Sequence, residues 1–230
     1  MIIGNGLLAN AFRKVVMPSD TLIFASGVSD SKSTNTLSFQ RELDLLTSTI
    51  RENAAMRLVY FSSASVLDSA LTSDVYVRHK IECEQIIRAE CMRHLILRVT
   101  NVVGNSGNPN TVFKFFVDRI TGGNSFEVWT HACRNLIDID DVVSITVALL
   151  NTEKPNQTFL LANPVSVMVP DLVSALEDRL GRKAQAVFVP KGNCAALEMN
   201  ETLSFYKEIG FNFSSDYLSK LILRYVDRMQ

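Results

Sequence analysis

Short apolar runs alternate with longer segments of helical period along the whole chain, and this alternation constrains the fold more than any other feature. A run of a few apolar residues, bounded by turn signals and followed by an amphipathic helix, suits a strand buried on both faces of a mostly parallel sheet. The expected strands are Met1–Ile3, Thr21–Ala25, Arg57–Ser62, His94–Val99, Phe126–Trp129, Thr158–Leu161 and Ala184–Val189. Helices are expected near Leu7–Val16, Leu37–Asn53, Asp74–Arg93, Thr111–Thr121, Asp140–Asn151, Pro170–Gly181 and Ser214–Met229. Pro170 at the start and Gly181 at the end of one of these are the punctuation that a helix favours. No linker divides the chain, so a second lobe must be assembled from later excursions of the same polypeptide.

Charge and composition remove several functions. The 230 residues carry 23 Lys+Arg against 24 Asp+Glu, a net charge of −1, which provides no global positive field for nucleic acid. No apolar stretch approaches the ~20 residues that span a bilayer. The first dozen residues lack the basic start of a signal peptide, so a cytoplasmic protein is expected. In that compartment Cys83, Cys91, Cys133 and Cys194 read as buried free thiols. His79 and Cys83 stand four apart on one expected helix, but no second pair completes a tetrahedral set, so no metal is expected.

Three clusters carry chemistry. Gly4-Asn5-Gly6-Leu7-Leu8-Ala9 follows the first strand and opens a helix, the arrangement in which one glycine makes the turn, the next admits a pyrophosphate, and a small third residue allows close packing. Two glycines in a strand-to-helix turn also need no ligand. Tyr76-x-x-x-Lys80 puts a phenol and an ammonium one turn apart on a helix, where the cation should lower the phenol's pKa towards neutrality for proton transfer. Such a pair arises by chance in about one chain in five of this composition, so it matters only in company. Ser62-Ser63-Ala64-Ser65 ends an expected strand, where open α/β sheets bind ligands, although serines there also satisfy their own turn.

Taken in order, these segments resemble the extended short-chain dehydrogenase/reductase family, and within it the nucleotide-sugar epimerases, dehydratases and ketoreductases. The other segments that carry the resemblance are Leu22-Ile23-Phe24-Ala25-Ser26-Gly27, Leu97-Arg98-Val99-Thr100-Asn101-Val102-Val103-Gly104 and Arg134-Asn135-Leu136-Ile137-Asp138 through Val142. The resemblance implies a Rossmann-like parallel α/β sheet at residues 1–104 and 131–163, with a small C-terminal α/β substrate lobe at 105–130 and 164–230. It implies Tyr76 as acid/base, Lys80 on the nicotinamide ribose and tuning the tyrosine, and Ser63 on the substrate oxygen. Gly4, Gly6, Leu7, Ala9, Ala25, Ser26, Gly27 and Lys80 would hold NAD or NADP. Asn101 and Arg134, together with Ser63, would contact a nucleotide-sugar, with a turn asparagine and a surface arginine as the plainer alternatives for the first two. A homodimer is left open.

Two departures shape the expected activity. Only ten residues separate Ala9 from Asp20, where the family places a further strand, helix and strand, so the residue that reads the adenosine ribose is missing and NAD cannot be told from NADP. Arg13 and Lys14 could meet a phosphate there or complement the helix dipole. The step from Ser63 to Tyr76 is also short, which opens the rim. Ala64 and Ser65 stand where the family's dehydratases carry an Asp-Glu pair, which disfavours dehydration. The weakened cofactor half tilts the expectation towards a 4-keto-sugar reductase, with a 4-epimerase holding NAD, or a non-catalytic relative, as alternatives.

Overall fold

The computed structural model describes residues 1–105, 111–152 and 156–226. In chain order the elements of the first half are β1 (Ile2–Ile3), α1 (Leu7–Phe12), β2 (Thr21–Phe24), α2 (Thr36–Glu52), β3 (Arg57–Ser63), α3 (Val75–Glu90), β4 (His94–Val99) and β5 (Asn101–Val103). There follow α4 (Val112–Thr121), β6 (Phe126–Trp129), β7 (Cys133–Arg134), β8 (Leu136–Asp138), α5 (Ile139–Leu150), β9 (Gln157–Leu161), β10 (Val167–Met168), α6 (Val169–Leu180), β11 (Ala186–Val189), α7 (Asn200–Glu208) and α8 (Tyr217–Tyr225). The chain divides into two units, residues 1–100 with 139–161 and residues 101–138 with 162–230.

The first unit is a five-stranded parallel sheet of order β1-β2-β3-β4-β9. Every residue of β2 is buried, as expected for a strand covered on both faces. Because successive side chains alternate, Tyr60 and Phe61 of β3 point to opposite faces. Phe61 meets Phe12 of α1, ring centres 5.5 Å apart. Tyr60 joins Leu22, Phe24, Leu46, Ile50, Cys83, Ile87 and Ile96 in the core beneath α2 and α3. Both helices start on side-chain caps: Asn35 accepts from the amides of Leu37 and Ser38, and Asp74 accepts from that of Val77. The chain passes from α1 directly into β2, so β1 forms one edge of the sheet and the strand-helix-strand expected to be missing is missing.

In the second unit β5 pairs with β8 and β6 with β11, both parallel, while β7 pairs antiparallel with β10. Residues 131–138 fall here rather than with the large sheet, because β8 lies against β5. The start of α6 is bounded by Pro170, and Gly181 ends it in the left-handed conformation, φ 61°. One buried carboxylate anchors α8: Tyr225 donates to Asp138 Oδ1 (2.8 Å) and Arg224 to Oδ2 (2.9 Å). Residues 227–229 of the expected last helix lie outside the described residues.

The expectation of four free thiols is corrected here. Cys133 and Cys194 form a disulfide, leaving Cys83 buried and Cys91 half-buried as free thiols. Sixty-one residues separate the pair in sequence, and their proximity depends on the segment after β11 folding back along β7. Gly192, at φ 96°, makes this approach: an added Cβ would lie 2.6 Å from that of Ala132. Helix α7 was also not expected from the sequence, and α1 stops at Phe12 rather than Val16.

Candidate active site

The glycine turn is built by two glycines with different tasks. Gly4 has φ 117°, and a Cβ on it would come within 2.2 Å of the Ala25 carbonyl oxygen, so only glycine lets the turn press on the end of β2. At Gly6 the space that a Cβ would enter holds no atom within 4 Å. That bare face is what a phosphate approaching the backbone requires, and the turn fits a pyrophosphate. Leu7 opens α1, and Ala9, fully buried, brings the helix close to the sheet. Arg13 closes the turn on itself, donating to the Gly4 carbonyl (2.6 Å) and to the Asn10 side chain.

Ser63 and Tyr76, the expected proton-handling pair, lie near one another at the end of β3. The last residue of β3, Ser63 starts a 3-10 turn, its hydroxyl 2.6 Å from that of Ser65 and accepting the Ser65 amide. The same hydroxyl meets the Tyr76 phenol and favours its ionised form. The serine therefore serves its own turn and the tyrosine at once. Lys80 is 2% exposed, with its ammonium 5.7 Å from the centre of the Tyr76 ring. The expected lowering of the tyrosine's pKa is corrected by the structure: burial of Tyr76 outweighs the help of Lys80 and Ser63 and raises it above the ordinary phenol value.

The missing part of the explanation is Glu42, which sequence reading passed over. It lies on α2 between Phe39 and Leu46 and is fully buried. Oε1 accepts from Lys80 Nζ (2.8 Å) and from the Tyr60 hydroxyl (2.7 Å). Oε2 accepts from the Val28 amide (2.6 Å) and from His79 Nε2 (2.9 Å), which must carry the proton because a carboxylate only accepts. Lys80 also donates to the Tyr60 oxygen (3.1 Å). Burial alone would raise the pKa of Glu42, but the His79 bond, the Lys80 charge and bond, and the Val28 amide hold it well below the carboxylate range. Cys83, buried beside this charge, has its thiol pushed up to about 12. A carboxylate at a core position of an otherwise apolar helical stripe was the available sequence signal.

Glu42, His79 and Cys83 present donor atoms within 4.8 Å of one another. The Lys80 ammonium sits on that carboxylate, so a cation would have to displace it. Gly27 roofs the ion pair: a Cβ there would lie 2.8 Å from Glu42 Oε1 and 2.9 Å from Lys80 Nζ. Next to it, the Ser26 carbonyl accepts from Arg41 (3.0 Å), and the Ala25 amide pairs with Ile3 of β1. Glu84 of α3 is another buried carboxylate; it takes both Arg98 donors and Arg88, and accepts from Ser62, fixing the end of β3.

Asn101 and Arg134 both belong to the second unit. Asn101 lies in β5 and not in a turn; its side chain donates to the Asn135 carbonyl (2.9 Å). Arg134 in β7 donates to the carbonyl of Cys133 (2.8 Å) and has no carboxylate partner among the described residues. Burial lowers its pKa from the ordinary guanidinium value.

Fold and site define the class, an α/β protein with a dinucleotide-type turn and a serine, tyrosine and lysine gathered at the end of a central strand. The sequence matches the NAD dependent epimerase/dehydratase family over residues 8–162, and the chain belongs to that family. Among solved structures it is similar to the Bordetella bronchiseptica enzyme WbmH in complex with NAD+, with 17% identity and a TM-score of 0.72 over 91% of this chain and 74% of that one. It is similar to UDP-glucuronic acid 4-epimerase from Bacillus cereus in complex with NAD, at 17% identity and TM-score 0.72 over 91% and 72%. RMD from Pseudomonas aeruginosa complexed with NADPH matches at 16% identity and TM-score 0.68 over 91% and 81%. No curated protein matches the sequence. Among the described residues no helix is long and apolar enough to cross a membrane.

Proposed function

We propose that the protein is an NAD(P)-dependent oxidoreductase acting on a nucleotide-activated sugar, and that its reaction is reduction of a 4-keto-sugar. Family membership and the NAD- or NADPH-bound structural neighbours support the cofactor, and the UDP-glucuronic acid 4-epimerase among those neighbours supports the substrate class. The observation that carries the reaction is the sheet edge at β1: without a strand-helix-strand after α1 the adenosine half of the cofactor has less to rest on, which suits a cofactor exchanged at each turnover better than one retained through the two half-reactions of an epimerase. Tyr76, a phenol beside Ser63, can give the proton that the carbonyl oxygen gains in that reduction.

NADH or NADPH, when bound, supplies the hydride to the carbonyl carbon. Ser63 orients the carbonyl oxygen, and Tyr76 breaks its O–H bond to protonate that oxygen; the tyrosinate then recovers a proton from water. The bare backbone of Gly6 takes the pyrophosphate, with Leu7 and Ala9 shaping the turn and Ala25, Ser26 and Gly27 beside the cofactor. Lys80 keeps one ammonium hydrogen beyond those given to Glu42 and Tyr60, available to the nicotinamide ribose. Arg134, without a carboxylate partner among the described residues, suits a diphosphate.

A 4-epimerase is the second reading, favoured by structural neighbours such as the Bacillus cereus enzyme. Incubation with a nucleotide 4-keto-hexose and cofactor carrying deuterium at C4 separates the two. A reductase gives product with one deuterium at sugar C4 and consumes cofactor stoichiometrically. Interconversion of two nucleotide-sugars with no net cofactor consumption would overturn the reductase reading in favour of the epimerase.

A further inference from the structure

Glu42 belongs to none of the roles assigned above, yet it is fully buried and accepts hydrogen bonds from Val28, Tyr60, His79, Lys80 and, at 3.9 Å, the Cys83 thiol. A carboxylate removed from water costs several kcal/mol unless it is paired, so its partner choice is informative. That partner is the lysine of the candidate site, and the carboxylate reaches it from a different helix. Gly27 keeps the space directly over the pair free of a side chain.

We propose that Glu42 is a positioning residue that fixes the Lys80 ammonium and offsets its charge beside Tyr76, so that the site gives a proton to the substrate oxygen and does not take one. The geometry gives two consequences. First, Lys80 is held by Glu42 Oε1 at 2.8 Å and the Tyr60 oxygen at 3.1 Å, with two hydrogens committed and its position fixed before any ligand arrives. Second, a lysine acting alone would draw Tyr76 towards phenolate, whereas a lysine paired with a carboxylate presents a dipole whose field falls off faster.

The groups that bear on Tyr76 are Lys80 and His79 on its own helix, Glu42 on α2, Asp30 in the loop before α2, and Tyr60 and Ser63 on β3. Lys80 and Ser63 favour the phenolate; Glu42 and Asp30 oppose it. Tyr60 is itself held neutral by burial and by Glu42, so it adds no charge. The inference rests on the assignment of Tyr76 as the proton donor, but its test does not require turnover.

Ultraviolet absorbance of tyrosinate, read as the difference between a protein and its Tyr76→Phe counterpart, reports Tyr76 alone. At about pH 10, the unperturbed phenol value, wild type should not yet have reached the midpoint of Tyr76 tyrosinate formation. Glu42→Gln should have that midpoint at least about one unit below wild type, a tenfold change in the ionisation equilibrium. Superimposable titrations of Tyr76 in Glu42→Gln and wild type would overturn the proposal. Should Glu42→Gln fail to fold, the double variant Glu42→Gln/Lys80→Met carries the test, because it removes both charges at once. Offsetting charges predict a Tyr76 midpoint close to wild type; a clear upward shift would mean that Lys80 acts without offset and would overturn the proposal. If these titrations behave as expected while no 4-keto-sugar is reduced, the positioning role stands and the assigned reaction fails.

Discussion

The ammonium of Lys80 lies 2.8 Å from Oε1 of Glu42, and the two side chains are almost wholly closed to solvent. Breaking a buried pair by removing one member leaves the other charge stranded, which costs about 3–5 kcal/mol. Glu42→Ala should therefore lower the urea midpoint sharply, whereas Glu42→Ala/Lys80→Met should recover much of the loss. Equal destabilisation by the single and double variants would show that packing, not charge, holds this region.

The same pair sets an acid limb of stability. Burial would raise the pKa of Glu42, but its bonds to His79, Lys80 and Val28 outweigh that and depress it below its usual 4.5. A depressed carboxylate contributes stability that is fully present above its unfolded pKa and lost as pH falls through the folded value. Wild type should lose stability from about pH 4 downwards, and Glu42→Gln should show a flatter slope over that range. Parallel slopes in denaturant titrations at several acidic pH values would remove Glu42 from the linkage.

Gly6 and Gly27 should separate binding from folding. Gly27→Ala pushes a methyl against Glu42 and Lys80, and overpacking of this kind costs about 1–3 kcal/mol. Gly6→Ala meets nothing in the protein, at φ −84°, so its melting temperature should stay near wild type while calorimetric affinity for NAD and NADP falls at least tenfold. Wild type itself, with β1 at the sheet edge, should prefer one cofactor by less than about a hundredfold, the worth of one charge-assisted bond.

The parallel sheet was legible because strands such as Thr21–Phe24 are continuous apolar runs, and the absent strand-helix-strand was legible as a gap too short to hold one. The nearness of Ser63 at the end of β3 to Tyr76 and Lys80 on α3 was legible from spacing and from the order of the segments. What held Lys80 was not, because the contact joins α2 to α3 across 38 residues and spacing within one helix carries no information about it. The sign of the Tyr76 shift was lost with it: a lysine four residues away announces its charge in the sequence, and burial does not. Cys133 and Cys194 failed for the same reason, as did α7, whose Asn200 start has no side-chain cap.

The disulfide gives a further expectation. Closing a loop of 61 residues stabilises a chain by about 2–4 kcal/mol, so Cys194→Ser should melt lower by several degrees. Thiol titration of the native protein should find Cys91 reacting first and Cys83 only on unfolding, since burial pushes the Cys83 thiol to about 12. Four thiols titrating in the native, non-reduced protein would contradict the pairing.

Arg134→Ala should raise KM for the nucleotide-sugar at least tenfold and leave kcat near wild type, because a diphosphate contact acts equally in ground and transition states. An unchanged KM would make Arg134 a surface residue of β7 only.

Single-turnover hydride transfer, followed by loss of reduced-nicotinamide absorbance with a nucleotide 4-keto-hexose, tests the assignment of Tyr76 as proton donor most directly. Tyr76→Phe should slow that step by ~10²–10⁴-fold, the usual worth of a positioned proton donor, while binding both ligands as wild type does. Equal rates in wild type and Tyr76→Phe would contradict the account.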